Sequence, residues 1–193
     1  MSMAPFGCVH GRFQIFHLDH LLYFKLALEY AERLLIGITS FDIRHLHNDQ
    51  GSHRTLAMNN PLTYFERTDM IRRTLVDDAS IPEWRFSFTP FPIEQPELLP
   101  DFVPTSVPCF TTVRERWNRD KLVILLRLGY SVVVLKDDPD KKISGSAIRE
   151  MMILGDSTWT HSVAPATESF LEEHRIVKRL CNLHGMTKGE AEA

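Results

Sequence analysis

Gly11-Arg12-Phe13-Gln14-Ile15-Phe16-His17-Leu18-Asp19-His20 is the stretch on which the fold of this chain turns. Ahead of it, Phe6-Gly7-Cys8-Val9-His10 is short, partly apolar and bounded by Pro5 and Gly11, which predicts a buried first strand. Behind it, Leu21, Phe24, Leu28 and Ala31 recur at helical spacing, with Lys25, Glu29 and Glu32 on the opposite face. The two histidines therefore fall where a strand ends and a helix begins. In an open α/β sheet ligands bind beyond the carboxyl ends of strands, and a helix N-terminus there offers free N–H groups and partial positive charge to phosphate. His17 and His20, three apart, share one face of the first helical turn.

The 193 residues suffice for one α/β domain with a real core. With 44% hydrophobic and 24% charged residues the composition is that of ordinary soluble globular protein. The formal charge of −3 argues against general nucleic-acid binding, which calls for clustered Lys and Arg. Cys8, Cys109 and Cys181 are far apart and lack C-x-x-C spacing, so neither a disulfide framework nor a zinc ribbon is indicated. No run approaches the roughly 20 apolar residues of a membrane span, and no leader pattern opens the chain. A cytoplasmic protein is expected, without membrane or nucleic-acid partners. Self-association as a homo-oligomer is compatible with this composition.

Outward from the first helix, Leu34 to Ser40 reads as a strand buried on both faces, completing a βαβ unit. Phe41 to Asn60 lacks periodicity and carries Arg44, His45, His47, His53 and Arg54. It is either a solvated loop or a flap closing over an anion, with Arg54 the best candidate. Thr63-Tyr64-Phe65-Glu66 is a capping box opening a helix to about Leu75, with Met70, Ile71 and Leu75 inward. Trp84 to Thr89 alternates as a strand; Pro90 to Pro108 is rigid loop with a helical turn near Glu94 to Leu99. Val107 to Thr112 reads as a strand, Arg114 to Leu128 as a helix stopped by Gly129, and Tyr130 to Leu135 as a further strand. After a charged loop over Asp137 to Lys142, Ser144 caps a short helix with Ile148, Met151 and Met152 inward and Gly155 at its end. A helix from about Thr167 to His184 follows, and residues 186–193 read as a disordered tail.

The segment G-R-F-Q-x-F-H-x-x-H resembles the first signature of the HxGH nucleotidylyltransferases, most closely the archaeal-type nicotinamide mononucleotide (NMN) adenylyltransferases, which read G-R-F-Q-P-F-H-x-G-H. Ile143-Ser144-Gly145-Ser146-Ala147-Ile148-Arg149 is similar to the second signature, I-S-x-T-x-I-R. Asn60 to Arg67 is similar to the N-P-F-T-x-x-E-R segment of the same branch. The resemblance implies a Rossmann-like doubly wound parallel sheet of the nucleotidylyltransferase type over residues 1–155, with a C-terminal helical part over residues 156–185. It implies transfer of AMP from ATP to a phosphorylated acceptor such as NMN, with Mg²⁺ carried mainly by the triphosphate. The site it implies comprises His17, His20 and Arg149 as catalytic groups, with Gly11, Arg12, Phe13, Gln14, Ile143, Ser144 and Ser146 as further nucleotide-binding positions. Arg67 occupies a position where this family has an Arg near substrate, though a surface salt bridge accounts for it equally well.

Ile15 stands for the usual Pro, a change that a loop absorbs. Two departures bear on specificity. Asp19 stands for the usual Gly, adding bulk and negative charge close to a polyphosphate. Cys109 to Thr112 lacks the S/T-G-N-P of the acceptor site. They leave a CTP-dependent cytidylyltransferase for a phosphate or phosphonate acceptor as an alternative, and a nucleotide-binding module without turnover as a third reading. A zinc pair at His17 and His20 is disfavoured because H-E-x-x-H is absent and no third ligand is suitably spaced. Neither a P-loop nor G-x-G-x-x-G occurs, which argues against a P-loop NTPase or a dinucleotide-dependent dehydrogenase.

Overall fold

Five parallel strands run in the order β3-β2-β1-β4-β5. They are β1 (Ala4–Gly11), β2 (Ala31–Ile38), β3 (Phe86–Pro90), β4 (Cys109–Val113) and β5 (Val132–Asp137). This is the strand order expected of a Rossmann-like sheet, whose direction of winding reverses between β1 and β4. The computed structural model describes residues 3–41, 57–113, 116–137 and 143–191. The proposed flap with Arg44, His45, His47, His53 and Arg54, and residues 138–142 of the charged loop, lie outside them.

The helices are α1 (Leu18–Ala27), α2 (Tyr64–Arg73), α3 (Arg116–Arg127), α4 (Gly145–Leu154), α5 (Pro165–Glu173) and α6 (Ile176–Ala191). Two compact units are interleaved along the chain. One holds Met1–Arg12, Asp19–Phe41 and Ile81–Lys142; the other holds Phe13–Leu18, Asp42–Ser80 and Ile143–Ala193.

The first unit contains the sheet. Side chains alternate across it, so Cys8 and Cys109, paired in register, share one face, where Leu125 of α3 joins them in an apolar cluster with Phe91 and Tyr130. Val9 and Phe110 take the other face, where the ring of Tyr30, just beyond α1, meets that of Phe110. Trp84 is not in a strand: Glu83–Arg85 forms a 3₁₀ turn ahead of β3. The helical turn expected near Glu94 to Leu99 lies slightly later, as Pro96–Leu98 and Leu99–Phe102, because a proline suits the first turn of each piece.

The second unit is helical. α4 and α5 each pack on α6, and α2 packs on α5, burying Met70, Ile71, Ile148, Met152, Phe170 and Leu180. The capping box expected at Thr63 is formed, with Glu66 N–H donating to Thr63 Oγ1 at 3.2 Å and Thr63 N–H to Glu66 Oε2 at 2.8 Å. The single last helix expected from the sequence is two helices. Arg175, at φ 52°, breaks it after the His174 ring stacks on Phe170 at 4.0 Å. The backbone of residues 186–191, read from sequence as tail, continues α6. Among the described residues no helix is long and apolar enough to cross a membrane.

Candidate active site

The first signature begins as β1 ends. Gly11 closes the strand, Arg12 follows half-buried, and the backbone then turns sharply at Phe13, whose φ of 50° is uncommon for a bulky residue. The Phe13 ring is buried edge-on against Phe16 at 5.8 Å. His17, 3% exposed, immediately precedes α1; His20 is half-buried in its first turn, with Asp19 beside it.

Within the second unit, residues Phe13–Leu18 are held by two other segments, the Asn59–Leu62 stretch and the start of α4. The Gln14 amide spans the backbone of Leu62: its Nε2 donates to the Leu62 carbonyl at 2.8 Å, and its Oε1 accepts from the Leu62 N–H at 2.9 Å. The Gln14 carbonyl accepts a short hydrogen bond from Nη1 of Arg149, whose Nη2 donates to Asn59 Oδ1 at 3.1 Å. A Cβ on Gly145 would lie 3.1 Å from that same carbonyl oxygen, a tighter contact than most side chains make, so the start of α4 approaches the loop closely where it carries glycine.

α4 starts as the sequence indicates. Ser144 has extended backbone and its Oγ accepts from the Ala147 N–H at 3.1 Å, with the Ser146 hydroxyl 3.2 Å away. Ile143 leads in, and Gly155 stops the helix at φ 73°. Ser144 is half-buried and Ser146 exposed, whereas Arg149, only 4% exposed, is committed to the loop. Read alone, S-G-S-x-I-R allowed a capped helix with a surface Arg; the guanidinium is instead interior.

The N-P-L-T segment is clamped from behind. Arg179 of α6 donates from Nη1 to the Pro61 carbonyl at 2.8 Å and makes a two-pronged pair with Glu66, at 2.9 and 2.8 Å. Partial burial disfavours the Glu66 charge. The Arg179 hydrogen bond, the Thr63 N–H and the Arg179 charge together outweigh it and bring the carboxyl down to about 2. Arg67 is 1% exposed and its Nε donates to the Thr63 carbonyl at 3.3 Å, so it is no surface ion pair.

The structure thus joins Gln14 and Arg149, expected as nucleotide contacts, in one hydrogen-bonded frame. It adds Asn59, Leu62, Gly145 and Arg179. Leu62 and Gly145 lie inside the quoted segments, but what they do is not local: Asn59, Leu62 and Arg179 act through partners 48 to 118 residues away, and Gly145 through its lack of a side chain. Gly11, Arg12 and His20 belong to the sheet-bearing unit. Among the described residues no group of three or more His, Cys, Asp or Glu is placed to hold a metal.

Comparison with known proteins gives this geometry a family. The phosphonoformate cytidylyltransferase of Streptomyces viridochromogenes is 33% identical over 180 residues, covering 93% of this chain and 97% of that protein. The nicotinamide-nucleotide adenylyltransferase of Saccharolobus solfataricus is 31% identical over 185 residues, covering 94% and 98%. In fold, the chain matches the bifunctional NMN adenylyltransferase/ADP ribose pyrophosphatase of Francisella tularensis with a TM-score of 0.68 at 16% identity, over 99% of this chain and 57% of that one. Residues 8–151 match the family model described as cytidylyltransferase-like, so with both signatures and the five-stranded parallel sheet in place, the chain belongs to that family of nucleotidyltransferases.

Proposed function

We propose that the chain transfers a nucleotidyl group, AMP from ATP in the first reading, to a phosphorylated small acceptor such as NMN, releasing pyrophosphate. An acceptor oxygen attacks the α-phosphorus in line, the bond to the bridging oxygen breaks, and the electron pair leaves with pyrophosphate. Such an attack needs no protein nucleophile. It needs two anions held together and charge stabilised on the bridging and equatorial oxygens. His17 and His20 are assigned as donors to the α- and β-phosphate oxygens, and Arg12 to the outgoing pyrophosphate. Ser144 and Ser146, at the start of α4, are assigned as further phosphate donors.

Arg149 has a further part in this reading: by holding the Gln14 carbonyl it fixes the loop that carries His17. Mg²⁺ carried by the triphosphate would supply charge neutralisation, leaving this chain's imidazole, hydroxyl and guanidinium groups to orient the phosphates. A cytoplasmic setting fits these soluble substrates.

The observation that carries the reading is the hydrogen bond from Arg149 of α4 to the Gln14 carbonyl of the first-signature loop, with Gly145 at close approach to the same carbonyl. Incubation with ATP, Mg²⁺ and NMN should release pyrophosphate. A His17→Ala variant should lose about 3 kcal/mol of transition-state stabilisation, on the order of a hundredfold in kcat, while keeping its melting temperature. Specific observations favour a second reading, CMP transfer from CTP to a phosphonate. Asp19 stands where adenylyltransferases carry Gly, residues 109–112 lack their acceptor motif, and the phosphonoformate cytidylyltransferase is similar along nearly its whole length. Turnover with CTP and phosphonoformate but not with ATP and NMN selects it. Tight triphosphate binding with no turnover in any combination leaves a binding module instead.

A further inference from the structure

The ladder between β1 and β4 is opened at its carboxyl end. Cys8 N–H donates to the Pro108 carbonyl at 2.8 Å, and Cys8 pairs with Cys109. Continued two residues on, that parallel pattern would join His10 N–H to the Phe110 carbonyl. A phenol stands between them instead: His10 N–H donates to Tyr23 Oη at 3.3 Å, and the Tyr23 hydroxyl donates to the Phe110 carbonyl at 2.6 Å. The strands are therefore parted where the winding reverses, the position at which doubly wound sheets take ligands.

His10 sits at this opening. Its side chain shares the face of Cys8, stacks on the Phe91 ring at 4.4 Å and is 4% exposed. Both ring nitrogens are buried with no hydrogen-bond partner. A buried imidazole left unsatisfied is destabilising, so packing alone favours an apolar residue here. On the same face α3 presents Leu125 to the core, and Lys121 lies one turn earlier on that side of the helix. Lys121 is itself buried, at 8% exposure. Burial, and after it the Lys121 charge, holds the His10 imidazole well below its ordinary pKa, so it is a neutral ring with one donor beside an ammonium.

We propose that this opening, through His10 and Lys121, is an anion subsite that receives a carboxylate or phosphonate oxygen of the acceptor and makes an anionic group a condition of tight acceptor binding. The inference rests on the nucleotidyl-transfer reading for its ligand, but it is a statement about the sheet-bearing unit alone. The ligand oxygen accepts from the imidazole N–H and from the ammonium, two charge-assisted bonds that a neutral carboxamide cannot equal.

The test is calorimetric titration of the full chain with phosphonoformate, nicotinate mononucleotide and NMN, in the presence of a non-hydrolysable triphosphate. The two carboxylate-bearing probes should bind at least about tenfold more tightly than NMN. His10→Gln and Lys121→Met should abolish that preference and leave triphosphate affinity unchanged. Equal affinity for all three probes, or a preference that survives both substitutions, overturns the subsite. Should either variant lose its fold, the wild-type protein labelled with ¹⁵N-histidine decides: the His10 ring resonances must move on saturation with phosphonoformate or nicotinate mononucleotide, and fixed resonances refute the proposal. Pyrophosphate release with unmoved His10 resonances would sink the subsite and keep the enzyme. Shifted resonances without turnover would do the reverse.

Discussion

Replacing Gln14 with Leu separates two roles for the most informative side chain of the signature. If the amide is a frame member, its loss strands the Leu62 N–H and carbonyl, which it satisfies at 2.9 and 2.8 Å in a site where Gln14 is only 4% exposed. A buried polar group deprived of its partner costs about 1–3 kcal/mol, and there are two. Some water entry lowers the sum, so a loss of about 3 kcal/mol is expected, against a total stability of roughly 5–15 kcal/mol for a chain of this kind. With a urea slope of about 2 kcal/mol/M the unfolding midpoint should fall by roughly 1.5 M. Turnover should fall with it, because the loop leading to His17 loses its tie to the N-P-L-T segment. Urea unfolding followed by circular dichroism measures the first effect, and pyrophosphate release under conditions where the variant is still folded measures the second. An unchanged midpoint with weakened triphosphate affinity would show that Gln14 contacts nucleotide directly, and the frame argument would be wrong.

Gly145→Ala ordinarily favours a helix, but here the new methyl lies 3.1 Å from a Gln14 carbonyl already fixed by its neighbours, so a loss of about 1–2 kcal/mol is expected by thermal melting; a gain would mean the loop yields. Arg179→Met removes the partner that, with the Thr63 N–H, outweighs burial and brings Glu66 to about 2 from an ordinary value of 4.5. A depressed carboxyl contributes stability above its unfolded pKa and loses it as pH falls through the folded one. The variant should therefore be less stable than wild type at pH 7, with the gap closing between pH 4.5 and 2; a gap independent of pH over that window contradicts the assignment. Combined with Gln14→Leu, the same change should be non-additive in the unfolding free energy from urea titration by more than about 0.5 kcal/mol, since both act on the Pro61–Leu62 backbone; additive effects would show the clamp and the loop to be independent.

The sheet was legible because its strands obey one-dimensional rules. Leu34 to Ile38 is continuously apolar, as a strand covered on both faces must be, and Ser144 and Thr63 announce helix starts by their own side chains. Boundaries drifted where local and tertiary preferences compete. The 3₁₀ turn at Glu83–Arg85 delayed β3, and Arg175 in the left-handed region split a helix whose periodicity runs through it. Hydroxyl, imidazole and guanidinium groups near helix starts are what make the signatures read as phosphate contacts. What sequence spacing does not carry is which polar atoms are consumed by the fold. Gln14 and Arg149 look like ligand contacts in a linear reading, yet the structure shows Gln14 satisfying a backbone 48 positions away and Arg149 holding a carbonyl 135 positions away.

That distinction changes what the signature residues are for. Residues Phe13–Leu18 lie in the helical unit although the residues on both sides, Arg12 and Asp19, lie in the sheet-bearing one. The loop is not simply the end of a strand; within its own unit it is a segment fixed by Arg149 from α4 and by a backbone turn that Arg179 holds from α6. A triphosphate needs donors that are already oriented when it arrives, because orienting them afterwards would consume the binding energy that lowers the barrier. Groups far from any phosphate then influence turnover through loop geometry alone. Variation at Asn59 or Arg179 should accordingly lower kcat more than it raises the KM for the triphosphate, the opposite of what loss of a phosphate-contacting side chain in the ground state would do.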